Sequence, residues 1–199
     1  DGLRNFANAV QVAADKDAPG RGVLLVMDDR VLIARDARKA RLGTTGAFAG
    51  FPRGPVALAT PSSVDWLAPP WREGEPARFA FPDTFPRVPI LHAYAGMERE
   101  VVECELAAGA KGLVLAGMGN GNSPDPVRRA LTKAVRGGVP VVRATRVDKG
   151  VVEVEHEDAE NGFVAARALG PAKARILMQL LLANGVTAQE TMQDAFNRR

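Results

Sequence analysis

The chain has 199 residues, 46% of them hydrophobic and 25% charged, which is globular material long enough for one or two domains with a buried core. Its 26 basic residues are scattered among 23 acidic ones, and a single tyrosine adds little to a poor aromatic inventory. Clustered charge with stacking aromatics, the mark of a nucleic-acid surface, is therefore absent, and no apolar run reaches the ~18 residues that span a bilayer.

Leu3, Phe6, Ala7, Val10, Ala13 and Ala14 recur at helical spacing and predict a helix over about 3–16, stopped by Pro19-Gly20. The run from Gly22 to Met27 is continuously apolar, as in a strand buried on both faces. Asp28-Asp29 then turns the chain into a second strand, Val31 to Ala34. From Arg35 to Gly46 the polar, glycine-containing sequence predicts an extended loop carrying Arg35, Asp36 and Lys39; the first two could pair with each other or hold the loop. Prolines at 61, 69, 70, 76, 82, 86 and 89 remove backbone donors and suit a connection rather than a sheet core. The expected organisation is residues 1–64, a linker over 65–87, and a second domain over 88–199. Trp66 and Trp71 are expected to pack the linker onto a domain rather than to stack on a substrate.

Beyond the linker the rhythm is regular. Strands are predicted at Val88–Tyr94, Gly112–Ala116 and Val139–Arg143, and helices at Glu98–Ala108, Pro124–Arg136, Pro171–Asn184 and Ala188–Asn197, with a short helix starting at Phe163–Ala168. Alternation of this kind builds βαβ units around a parallel sheet, so the fold class is α/β. Cys104, the only cysteine, excludes an internal disulfide and falls in the apolar helical pattern, where a buried thiol is expected. With two histidines far apart it makes no zinc site of familiar spacing, and no cofactor is implied.

Parallel sheets bind ligands beyond the carboxyl ends of their strands. Three loops lie there: Ala93–Met97, Ala116–Asn122 and Ala144–Arg146. In the middle one, Gly117-x-Gly119-Asn120-Gly121-Asn122 lets backbone approach a ligand, and Ser123-Pro124 reads as an N-cap and first helical position, so free amides and two asparagine side chains would converge there. A glycine turn capped by asparagines explains the same residues. A dinucleotide loop does not, because its third glycine is misplaced and the next strand ends in Val142-Arg143 rather than an acid. Lys39 reads either as a solvated lysine or as a group displayed beyond a buried strand. Glu153, Glu155, Glu157, Asp158 and Glu160 around His156 read as a solvated surface segment.

Several stretches, in order, resemble the bacterial-type L-asparaginase and glutaminase-asparaginase family. They are Asn5, Asn8-Ala9-Val10 and Ala13–Lys16; Arg21–Val23 and Met27–Asp29; Ala34-Arg35-Asp36 with Lys39; Gly117 to Asn122; Val141–Arg143, Arg146-Val147 and Gly162-Phe163; and Lys173–Arg175. The resemblance implies the end of a larger parallel-sheet N-terminal domain followed by a smaller C-terminal parallel α/β domain. It implies hydrolysis of asparagine, and in some members glutamine, to the acid and ammonia through a threonine acyl-enzyme. Of the family's proton-handling group only the lysine is here, as Lys39; its threonine motifs are absent, so residues 1–199 alone are expected to be inactive. Asn122 and Glu155, with Glu153 as the competing choice, would bind the amino-acid end of the substrate in a pocket completed by the adjacent subunit. A homo-oligomer, commonly a tetramer of intimate dimers, is implied; no nucleic-acid or membrane partner is. The opening Asp1-Gly2, neither an initiator Met nor a leader, suggests a truncated or processed chain, and leaves a cytoplasmic or periplasmic location open. A noncatalytic amino-acid-binding or subunit-interaction module of the same fold is the alternative, and a nucleotide-binding α/β protein a third.

Overall fold

The computed structural model describes residues 2–70 and 79–198. Two compact units divide the chain, Asp1–Pro76 and Ala77–Arg199.

In the first unit, helix α1 (Gly2–Ala14) precedes strands β1 (Leu24–Met27), β2 (Arg30–Ile33), β3 (Ala37–Lys39), β4 (Phe48–Gly50), β5 (Ala57–Thr60) and β6 (Ser63–Trp66). The order β1-β2-β5-β6 forms an antiparallel sheet, and β3 pairs with β4 alone. Asp28 and Asp29 make the β1–β2 turn with φ of 54° and 56°, the left-handed pair that a two-residue hairpin connection needs. β1 is therefore an edge strand of an antiparallel sheet, half-buried along its length, and not buried on both faces as its apolar run predicts. The expected loop from Arg35 to Gly46 contains strand β3, because the chain folds back at Thr44-Thr45 to pair Lys39 with Phe48. Strand β6 runs to Trp66, past the residue where the proline-rich linker is expected to begin. Trp71 lies outside the described residues.

The core of this unit is Val12, Val31, Val56, Ala57 and Ala59. The apolar stripe of α1 faces away from it: Leu3 is 90% exposed, Phe6 70% and Val10 54%, while the helix buries Asn8 and Val12. Polar contacts set this orientation. Asn8 Nδ2 donates to Asp29 Oδ1 and Ala59 O at 2.8 and 2.9 Å, and Arg4 grips the Asp29 carboxylate through Nε and Nη2. Trp66 Nε1 donates to Asp15 at 2.9 Å, and the Arg21 guanidinium sits 3.7 Å from the Trp66 ring centroid.

These contacts carry a pH dependence. The Trp66 N–H holds the Asp15 carboxyl below its usual range, and Arg4 does the same for Asp29. Carboxyls depressed in the folded state stabilise it above the unfolded value of ~3.9, and that contribution is lost as pH falls through the folded value. The thermal midpoint read by tryptophan fluorescence is therefore expected to drop more steeply below about pH 4 in the native protein than in Asp15→Asn; parallel curves would show that the contact carries no linkage.

The second unit contains β7 (Ile90–His92), α2 (Glu100–Ala107), β8 (Leu113–Gly117), α3 (Asp125–Arg136), β9 (Val141–Thr145), α4 (His156–Asn161), β10 (Phe163–Ala165), α5 (Pro171–Ala183) and α6 (Gln189–Asn197). Its four strands are parallel in the order β10-β9-β8-β7. β8 and β9 lie in the middle with every residue buried, which is why β8 reads as an apolar run and β9 is apolar apart from Arg143 and Thr145. Alternate residues serve opposite faces. Val114, Val142 and Val164 pack with Met178, Leu181 and Phe196 of α5 and α6, whereas Leu113, Leu115 and Val141 pack with Val102, Val127 and Leu131 of α2 and α3. Cys104 is exposed, contrary to expectation. It stands two residues, about 200°, from the buried Val102, so the helix turns it outward. The helix expected from Phe163 is instead the edge strand β10, which pairs with β9 through Phe163–Ala165.

Candidate functional site

Two segments meet beyond the carboxyl ends of β8 and β9. The first is a tight hairpin after Gly117. Met118 and Asn122 exchange backbone hydrogen bonds of 2.8 and 2.7 Å, and Gly121 N also donates to Met118 O. Gly119 and Gly121 hold φ of 51° and 88°. The hairpin folds so closely onto the strand that a Cβ on Gly117 would lie 2.2 Å from the Gly121 carbonyl carbon. The amides of 118, 121 and 122 thus bond within the hairpin instead of converging free on a ligand, which corrects that expectation for these three. Helix α3 also starts one residue late, with Pro124 as its N-cap and no side-chain cap.

The second segment runs from Val147 to α4. It is pinned by Val152, whose backbone bonds Arg167 twice: Val152 N donates to Arg167 O, and the Arg167 side chain donates from Nη1 to Val152 O, both at 2.9 Å. The acidic stretch expected to be solvated is divided here. His156, Glu157 and Glu160 face solvent on α4, but Asp158 is only 2% exposed.

Arg143, in the middle of the buried β9, explains that burial. Its Nε and Nη2 each bond an oxygen of Asp158 at 2.6 Å, a bidentate pair. Nη1 donates to Asn120 O at 2.6 Å and Nη2 to Glu153 O at 3.1 Å, while the Glu155 carboxylate lies 3.4 Å from Nη2. Asp158 also accepts from Glu155 N at 2.9 Å. Asn120 closes the arrangement: its Oδ1 accepts from Glu153 N at 2.8 Å, and its Nδ2 donates to Glu155 Oε1 at 2.5 Å. One guanidinium and one carboxamide therefore tie the glycine hairpin to the acidic segment.

Together these elements line a cleft of ≈ 200 Å³ whose wall includes Asn122, Ser123, Arg143, Glu155 and Asp158. The structure brings Asn122 and Glu155 to the same cleft. Glu155 has a 40% exposed side chain with one oxygen oriented by Asn120, whereas Glu153 is exposed and contributes its backbone N–H and carbonyl to the network. A carboxylate held in this way suits a cationic group such as an ammonium.

Lys39 belongs to the first unit. It is exposed at the end of β3, opposite Phe48. Asp36, which begins the same hairpin, is buried and pairs with Arg53 through contacts of 2.5 and 2.8 Å. Thr44 and Thr45 sit at the exposed tip, where Thr44 Oγ1 donates to Thr45 O.

Sequence reasoning missed Arg143, Asp158 and the bridging role of Asn120. A usable signal existed for the first: a charged residue inside Val141–Thr145 has to be paired when the strand is buried. Among the described residues no group of histidine, cysteine and acidic side chains could hold a metal ion, and no helix is long and apolar enough to cross a membrane.

Residues 1–72 match the family model described as Asparaginase, N-terminal, and residues 87–196 match the Glutaminase/Asparaginase C-terminal domain. The chain is 36% identical to L-asparaginase 2 of Escherichia coli over 203 residues, which covers 100% of this chain and 58% of that protein. It is 39% identical to a probable periplasmic L-asparaginase of Haemophilus influenzae, covering 92% and 54% of the two chains, and 33% identical to a glutaminase-asparaginase of Pseudomonas aeruginosa, covering 96% and 54%. The chain spans about half the length of these curated relatives. With the C-terminal model alone matching more than half of its residues, the chain belongs to the glutaminase/asparaginase family.

Proposed function

We propose that the protein is an L-asparaginase-type amidohydrolase, converting asparagine, and glutamine as a second substrate, to the acid and ammonia. The observation that carries this reading is the cleft in which the Asn120-oriented carboxylate of Glu155 stands beside Asn122, in a chain of this family. Glu155 binds the substrate's α-ammonium, Asn122 its amino-acid end, and Lys39 relays protons to and from a threonine nucleophile contributed from outside residues 1–199. The domain organisation at 1–64, 65–87 and 88–199 follows the same reading. So does a homo-oligomer, a tetramer of intimate dimers, in which Asn122 and Glu155 serve a neighbouring copy.

The test is ammonia release by the native polypeptide with asparagine and with glutamine. Glu155→Gln keeps the shape and removes the charge. It is expected to lower kcat/KM about 10- to 100-fold, the effect of ~1.5–3 kcal/mol for a hydrogen bond to a charged group. Saturable amino-acid binding with no ammonia from either amide would replace this reading by the noncatalytic binding module.

A further inference from the structure

Glu155 stands 3.4 Å from a buried guanidinium, an arrangement that by itself would cancel the charge a ligand ammonium needs. We propose that Asp158 is the counter-ion that prevents this, and that Asp158 and Arg143 together form a positioning pair that keeps Glu155 fixed and its charge unpaired by the guanidinium. The inference rests on the amidohydrolase reading, since it assigns Glu155 to an ammonium.

The geometry divides the labour. Asp158 takes both short bonds from Arg143, at 2.6 Å each, and the 3.4 Å separation leaves Glu155 as the looser partner. Asp158 and Arg143 are 2% and 5% exposed, so their charges compensate each other away from water. Glu155 is half-open to solvent and remains the uncompensated charge of the cluster. The remaining donors of Arg143 hold the carbonyls of Asn120, whose Nδ2 orients Glu155 Oε1, and of Glu153, whose N–H donates to Asn120 Oδ1. Asp158 also receives the Glu155 N–H, so the same carboxylate sets the backbone from which Glu155 projects. Neither Asp158 nor Arg143 needs to touch substrate; both act through Glu155.

Asp158→Asn removes the counter-charge with little change in shape, and Arg143 is then free to draw in Glu155. The readout is discrimination between asparagine and succinamate, the analogue with the same amide and carboxylate but no ammonium. In the native polypeptide kcat/KM is expected to favour asparagine, and in Asp158→Asn the ratio is expected to fall tenfold or more, chiefly through KM for asparagine. Arg143→Lys keeps the charge but not the planar fork, and is expected to lower the ratio in the same direction. An unchanged ratio in whichever variant folds, or loss of folding in both, overturns the proposal in favour of a purely structural ion pair. That result in an active native enzyme leaves the amidohydrolase reading standing, whereas a native polypeptide that releases no ammonia from either amide overturns both.

Discussion

Arg143→Met is expected to destabilise the protein by about 3–5 kcal/mol, the loss that follows when one member of a buried ion pair is removed and the other stays. Asp158 would be left 2% exposed with both of its short bonds to the guanidinium gone, and the carbonyls of Asn120 and Glu153 would each lose a donor. Methionine fills the volume of the aliphatic stem but satisfies none of these groups. The loss should be larger than for Asp158→Asn, because there the Glu155 carboxylate, already 3.4 Å away, can take over as counter-ion. Urea unfolding followed by far-ultraviolet circular dichroism gives the comparison. A loss below about 1 kcal/mol for Arg143→Met would mean that water or a neighbouring group replaces the guanidinium, contrary to the burial on which the argument rests.

Lys39→Ala is expected to do the reverse, lowering kcat of the native enzyme by about 10²–10⁴-fold, the range for a group that moves a proton in the transition state, while leaving stability almost unchanged. Lys39 is exposed at the end of β3, and its backbone, not its ammonium, makes the pairing with Phe48. Surface substitutions of that kind stay within about ±0.5 kcal/mol. A thermal midpoint equal to that of the native enzyme together with a collapse in kcat would separate the catalytic lysine from the solvated one. Activity within threefold of the native enzyme would identify it as surface.

The second unit was the more legible part of the fold, and the reason is burial. β8 and β9 have every residue buried, so β8 is apolar throughout and β9 is apolar except for Arg143 and Thr145, and the intervening helices show a helical apolar period. β10 was misread because Phe163-Val-Ala-Ala suits a helix as well as a strand; only its pairing with β9 decides. In the first unit, periodicity identified α1 but not the side it presents, since Arg4 and Asn8 bind Asp29 and so choose the polar face for contact. The site divides in the same way. Asn122 and Glu155 are proposed through resemblance to the family, and both line one cleft. Arg143 shows in the sequence only as a charge inside an apolar strand that needs a partner; the partner, Asp158, lies 15 residues away in a run whose other acidic members are exposed or half-exposed, so local spacing does not single it out.

The glycine hairpin after β8 also decides where a library aimed at substrate preference should spend its diversity. Position 117 admits no side chain at all, since any Cβ would collide with the backbone of residue 121 rather than with something that can move. Position 119 is open on every side and needs only a residue that accepts φ near 51°, for which asparagine and aspartate are the natural choices. Positions 122 and 123 project onto the cleft without belonging to the clamp that holds it. The hairpin is thus closed to change at position 117 and open to it at position 119, so diversity is best spent at position 119 and at the cleft-lining side chains that follow, with Asn120 left in place.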